Sequence, residues 1–170
     1  MYKILLVPHP VLRQKSLKIT KVTKEDLDLA NQMITVMKNA PGVGLAANQI
    51  GVLKQIITVH IQDDEKKIDK VYSLFNPVIT KFSKKKVIME EGCLSLPQQF
   101  SEIERSADIK IKYLNESNKI IEEDKQGLEA RILQHEIDHL YGKLFVDYLS
   151  SLKRNKLIKR VQKLKKLGEI

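Results

Sequence analysis

The sequence predicts an α+β fold, with mainly antiparallel β-sheets packed around one central helix, an N-terminal helix before the sheets and a C-terminal basic helix after them. Three observations predict it. Short runs rich in isoleucine and valine fill 52–124 and are parted by charged or polar turns at 63–67 and 115–118. Apolar residues recur at helical spacing in three other stretches, 24–38, 126–141 and 150–167. At 170 residues, with no internal repeat and no low-complexity linker, the chain has the length of one domain, 1–170.

Residues 1–22 read as irregular, punctuated by Pro8 and Pro10. The apolar run at 4–7 is too short for a signal peptide, and no later stretch is long enough to span a membrane. A cytoplasmic protein with no membrane partner is the expectation. In the first helix, 24–38, Thr23 is a candidate N-cap with Asp26 three residues on, as in a capping box. Ala30, Met33, Ile34 and Met37 form its buried stripe, and Pro41-Gly42 stops it by Ala40. The segment Gly42-Val43-Gly44-Leu45-Ala46-Ala47-Asn48-Gln49 follows, small and nearly uncharged. Its paired glycines allow close approach of another chain or a ligand; the alternative is a plain glycine-rich turn, and a phosphate loop is a poor fit because no Gly-Lys-Ser/Thr and no third glycine at the dinucleotide spacing are present.

Strands are expected at 55–61, 71–80, 85–90, 107–114 and 119–123. Ile109, Ile111 and Tyr113 alternate with Lys110 and Lys112, as in a half-exposed strand. His60 falls in a strand and His9 in a loop, and neither is given a role. The single cysteine, Cys93, lies in Glu90-Glu91-Gly92-Cys93-Leu94-Ser95-Leu96-Pro97. That is a turn setting, where backbone N–H groups can point outward unpaired. One cysteine excludes an intramolecular disulfide and points to a reducing compartment. The central helix is expected from near Gln126 to Leu140 or Tyr141, with Gly142 after its end. Residues 145–149 read as a short extended link. In the last helix Leu157, Val161 and Leu164 share a face. Segment 153–170 holds eight basic residues and one acid, and so carries +7 of the net +9.

The chemistry centres on Gln134-His135-Glu136-Ile137-Asp138-His139. Residues i and i+4 of a helix share a face, so His135 and His139 can point at one metal ion with Glu136 beside them as a general base. The central helix is thus a metal-binding helix, and Leu128 and Ile132 continue its metal face. A catalytic site of this kind uses three protein ligands and leaves one position open. A histidine six residues beyond His139 would complete one known pattern, but that position is Phe145. A downstream glutamate would complete another, but Asp147 is the only acid between His139 and Glu169. Cys93 is left as the best third donor, giving a Cys-His₂ set. A purely structural site would be closed by a fourth protein ligand, and no second cysteine exists.

Three blocks, in this order, resemble the peptide deformylase family: the glycine block 42–49, Glu91-Gly92-Cys93-Leu94-Ser95, and Gln134-His135-Glu136-Ile137-Asp138-His139. The resemblance extends to Pro10-Val11-Leu12-Arg13 and Gly142-Lys143-Leu144-Phe145, and is best to bacterial members with an extended C-terminal helix. It implies removal of the formyl group from the N-terminal formylmethionine of nascent peptides, releasing formate. Water activated by the metal is then the nucleophile, and Glu136 the general base and later acid. The Leu94 backbone N–H and the Gln49 amide match the family's oxyanion-stabilising positions. Gly44 is expected to present backbone to an extended peptide.

Val43, Met89, Leu128 and Ile132 are the candidate walls of the methionine pocket, with His135 at its base. Leu128 and Ile132 are equally what an amphipathic helix offers its core. The resemblance implies one divalent ion, Fe2+ physiologically, with Zn2+, Ni2+ or Co2+ able to substitute. Asp138 is the nearest candidate carboxylate behind a metal-bound imidazole, and family positions pair Glu91 with Arg105 to brace the Cys93 loop. A monomer is expected. The basic helix is either a docking face for ribosomal RNA or a solvated surface. Two stretches depart from the family pattern: Asn39-Ala40-Pro41, where many members carry acids, and Gln98-Gln99-Phe100, where many carry an arginine. Both touch the outer substrate groove.

Overall fold

The computed structural model describes residues 2–170. Its helices are α1 (Lys24–Asn39), α2 (Gly127–His139) and α3 (Ser151–Lys166). The strands are β1 (Gly44–Ala46), β2 (Ile56–Asp63), β3 (Ile68–Phe82), β4 (Lys86–Cys93), β5 (Leu96–Ser106), β6 (Asp108–Leu114) and β7 (Ile120–Gln126). Five of them form an antiparallel sheet in the order β1-β2-β3-β6-β7, while β4 and β5 form a separate hairpin. The expected α+β architecture is what the chain adopts.

Side chains alternate between the faces of a strand, and here the alternation divides the core in two. Leu45, Ile56 and Phe75 pack with Met33 and Met37 of α1. Their neighbours Ala46, Ile57 and Leu74 pack on the other face with Ile132, Leu133 and Ile137 of α2. Both faces of the sheet's inner end are therefore covered, which explains the unbroken apolar stretch at the start of β2. A third cluster joins Leu96 and Ile103 of the hairpin to Phe145, Val146, Leu157 and Val161. α2 thus runs centrally, between the large sheet and the hairpin.

The helices begin as read from the sequence. Thr23 and Asp26 form a reciprocal capping box, and Lys54 pairs with the buried Asp26 at 2.7 Å. Ser150 caps α3 by accepting the Lys153 N–H. Leu157 and Val161 are buried, whereas Leu164 is only partly so. Gly142 has φ +72°, and a side chain there would strike the Arg13 backbone. No helix among the described residues is long and apolar enough to cross a membrane.

Four readings are corrected. The glycine block is not merely a turn: it forms β1 and then a 3₁₀ turn, Ala47–Ile50. β5 was not anticipated, because its inward residues include Gln99, Arg105 and Ser106, so no apolar alternation marks it. Residues 145–149 are not extended. Phe145–Tyr148 is a 3₁₀ turn, drawn in where Asp147 accepts the Leu144 N–H at 2.9 Å and pairs with Arg13 at 2.6 Å. Cys93 itself closes β4, and the turn is Leu94-Ser95.

Candidate active site

α2 presents His135 and His139 one turn apart, with their Nε2 atoms 3.2 Å from each other. β4 ends at Cys93, whose Sγ lies 3.3 Å from His139 Nε2. The three donor atoms all lie within 4.8 Å of one another. An ion with tetrahedral bonds of about 2.0–2.3 Å separates its ligand atoms by about 3.3–3.6 Å, close to the 3.2 and 3.3 Å found for the His135–His139 and Cys93–His139 pairs, so the donor types and these two separations fit a divalent cation. The set leaves a fourth position, and the neighbouring Glu136 lines the cavity beside it.

Each donor is braced. His135 Nδ1 meets Glu91 Oε1 at 3.0 Å, which directs its other nitrogen toward Cys93 and His139. Glu91 in turn accepts from Arg105 at 2.6 and 2.9 Å and from Arg131 at 2.6 Å. Asp138 accepts from Arg105 at 2.9 Å and from the Tyr148 hydroxyl at 2.7 Å. The carboxylate behind an imidazole is therefore Glu91, and not Asp138, which leaves the side of α2 toward β5. The Glu91–Arg105 pair is buried and ties into the site itself. Asn48 donates to the His139 carbonyl at 2.6 Å.

Electrostatics follow from this packing. Burial pushes the Glu91 carboxyl up, but hydrogen bonds from His135 and Arg105 outweigh it and hold the group at about 2. Burial also opposes charge on His135, yet its bonds to Cys93 and Glu91 draw its pKa well above the usual value. Burial and the nearby His135 push His139 well below. Glu136 is buried, and its Oε2 has no hydrogen-bond partner among the described residues. Burial raises it to about 7, His135 opposing and Glu91 adding to the rise. A carboxyl so tuned can accept and return a proton near neutral pH.

The 3₁₀ turn after β1 folds Gln49 back on the strand. Its Oε1 accepts the Ala46 N–H at 2.9 Å, and its Nε2 lies 3.1 Å from Ser95 Oγ and 3.5 Å from Cys93 Sγ. Leu94 follows Cys93 in the hairpin turn, outside the strand ladder. β1 is the edge of its sheet. The Val43 carbonyl accepts from His60 on the β2 side, so by strand alternation the Gly44 N–H and carbonyl point to the free edge. A side chain on Gly44 would overlap the Glu136 carboxylate.

These groups surround a cavity of about 560 Å³. Val43, Gly44, Gln49, Cys93, Leu94, Leu128, Ile132, His135 and Glu136 all line it. Leu128 is half exposed at its mouth, whereas Ile132 is buried and shared with the core. Met89 does not line the cavity. It pairs with Ile103, farther out along the hairpin, and Phe100, opposite Gly92, occupies that wall instead. Sequence reasoning also passed over Arg131 and Ser95. Arg131 lies one turn before His135 on the metal helix, and a basic residue in that position was a signal of a buried acid nearby.

The family model for polypeptide deformylase matches residues 1–155. The chain belongs to the polypeptide deformylase family. It is 46% identical over 162 residues to a peptide deformylase of Phenylobacterium zucineum, covering 95% of each chain. It superposes with a TM-score of 0.94 on the crystal structure of peptide deformylase from Ehrlichia chaffeensis, at 35% identity, covering 100% of this chain and 99% of that one. The Met-Ala-Ser-bound peptide deformylase of Acinetobacter baumannii gives 0.82 at 31% identity, covering 88% of this chain and 98% of that one. As a peptide deformylase, the chain is an enzyme that hydrolyses the N-formyl group of polypeptides.

Proposed function

We propose that this deformylase acts on the formylmethionine of nascent peptides through one divalent metal held by Cys93, His135 and His139, with Fe2+ as the physiological ion. The observation that carries the reading is the convergence of these three donors, the unpartnered Glu136 carboxyl and the free edge of β1 on one cavity. A divalent cation there supplies Lewis acidity toward a carbonyl and toward water. The protein's own groups do the rest. Gly44 pairs with the peptide backbone as an added strand, and the methionine side chain enters between Val43, Leu128 and Ile132 above His135. Glu136 takes the proton of the attacking water and returns a proton to the leaving amine. The Gln49 amide and the Leu94 N–H stabilise the developing oxyanion. The thiolate makes a ferrous site sensitive to oxidation, and Zn2+, Ni2+ or Co2+ can occupy the same donors.

The whole chain, 1–170, works as one catalytic unit and as a monomer. It acts in the cytoplasm, where α3 turns its basic outer face to ribosomal RNA. The test of the activity is formate release from formyl-Met-Ala-Ser by anaerobically purified, iron-loaded protein. Formate from the natural sequence and about 10²–10⁴-fold less from Glu136→Ala is the expected result. No formate from iron-loaded protein overturns the reading.

A further inference from the structure

We propose that a buried water at the end of the metal helix, held by Asn48 and Ser16, accepts a hydrogen bond from His139 Nδ1–H and so orients that imidazole toward the metal. The inference rests on the reading of Cys93, His135 and His139 as the ligands, and adds a binding site that fixes one of them. His139 Nε2 faces the other two donors at 3.2 and 3.3 Å, so its Nδ1 points away from them. Coordination through Nε2 leaves the ring's one proton on Nδ1, and a ligating imidazole donates that proton to an acceptor. His135 has Glu91 for this purpose at 3.0 Å. His139 is fully buried, and its Nδ1 has no hydrogen-bond partner among the described residues.

Three further atoms lack partners in the same neighbourhood: Asn48 Oδ1, Ser16 Oγ and Gln55 Oε1. Their residues are each at most 2% exposed, so bulk solvent does not reach them. Hydrogen bonds gather these residues around the end of α2. Asn48 Nδ2 donates to the His139 carbonyl at 2.6 Å, and the Ser16 N–H donates to the next carbonyl, that of Leu140, at 2.8 Å. Gln55 Nε2 donates to the Ser16 carbonyl at 3.3 Å. A carbonyl only accepts, so the amide nitrogen of Asn48 faces it and the amide oxygen is left free. Of the six buried side-chain atoms without a partner among the described residues, four thus belong to residues joined around His139.

Chemistry selects water as the occupant. Buried polar groups that find no protein partner are satisfied by internal waters, each with about two to four partners. Two of the four atoms bring a proton, the imidazole Nδ1 and the serine hydroxyl, whereas the two amide oxygens only accept. One water adds two protons and one acceptor, and four donors then meet four acceptors. A cation cannot take this place, because the Nδ1 proton would face it, and an anion would face the two amide oxygens. Asn48 precedes Gln49 in one 3₁₀ turn, so the water also ties the turn that carries Gln49 to the metal helix.

The test is a Zn2+ titration of metal-depleted protein against a competing chelator, joined to a crystal structure of the zinc-loaded natural sequence. The structure is expected to show an ordered water within hydrogen-bond distance of His139 Nδ1, Asn48 Oδ1 and Ser16 Oγ. Ser16→Ala removes a hydroxyl that makes no bond to the protein, so a merely structural role predicts no loss of affinity. The expected result is Zn2+ binding about tenfold weaker, with the thermal midpoint of the metal-free protein unchanged. Asn48→Leu is expected to weaken binding about 10–100-fold. Ser73→Ala removes the other partnerless hydroxyl. Ser73 lies opposite Thr58, which bonds to Met37 of α1, and so on the face of the sheet away from α2. Its loss is expected to leave the affinity as it was. Unchanged affinity in Ser16→Ala, an equal loss in Ser73→Ala, or no water at His139 Nδ1 would overturn the proposal. Failure of the natural sequence to bind Zn2+ at all contradicts the metal site itself.

Discussion

Gly44 has no side chain because Glu136 needs the space, and the two residues therefore test each other. In Gly44→Ala the new methyl group overlaps the carboxylate and must displace it. Misplacing a reacting group by about 1 Å costs about 10² in rate. The expected result is a kcat/KM loss of that order with little change in thermal midpoint, measured by formate release and calorimetry. Glu91 makes the complementary case. Glu91→Gln removes the negative partner of two buried arginines and of His135. Breaking a buried pair of this kind costs about 3–5 kcal/mol, and loss of the carboxylate behind a ligating imidazole weakens metal affinity about 10–100-fold. Urea unfolding and a competitive Zn2+ titration read the two effects separately. Cys93, His135 and His139 were legible from the sequence because two of them share one helical turn and the third is the only cysteine. Glu91 was not legible as the partner of His135, because 44 residues separate them and only the hairpin brings them together.

At the scale of the element, the helices were read almost to the residue and the strands were not. The box at the start of α1 is local chemistry, visible as Thr23 and Asp26 three apart. β1, only three residues long, has no room for a periodic signal, and β5 hides its alternation by turning polar side chains toward the site network. Two predictions belong here. Burial pushes the Asp26 carboxyl up, but Lys54 and Thr23 outweigh it and hold the group below the ordinary value. Its folded pKa thus lies below its unfolded one. The stability it contributes is complete above the unfolded value and is lost as pH falls through the folded one. Asp26→Asn is expected to cost about 1 kcal/mol at pH 7 and to flatten the stability curve on the acid side, as read from urea midpoints at several pH values. The second prediction concerns α3. Leu157 and Val161 anchor it to the hairpin core, so truncation would confound docking with folding. Charge reversal at the outward Lys156, Lys159 and Lys163 is the cleaner change. It is expected to abolish salt-sensitive cosedimentation with ribosomes and leave the thermal midpoint in place. Cosedimentation that persists in the reversed variant, or that ignores salt, would refute a docking role for the helix.

For the molecule as a whole, the large sheet lies between α1 and α2, and the hairpin closes over the other side of α2. The metal helix is therefore fixed from two directions, and Cys93 arrives with the second, at the end of β4 in the hairpin. The three blocks foretold the site because each supplies one of its parts: the glycine block holds β1 and the turn carrying Gln49, the cysteine block ends β4, and the third block ends α2 itself. The same arrangement explains what the sequence did not disclose. The walls of the cavity come from the turn before β1, from α2 and from the bulged side of the hairpin, so Met89 was expected in a wall that belongs to Phe100. The most direct test of the whole account is formate release from formyl-Met-Ala-Ser by metal-depleted protein titrated anaerobically with Fe2+. The account predicts activity that rises linearly, breaks at one equivalent per chain, and does not appear in Cys93→Ala at any equivalent. Full activity before iron is added, or an undiminished titration in Cys93→Ala, would contradict it.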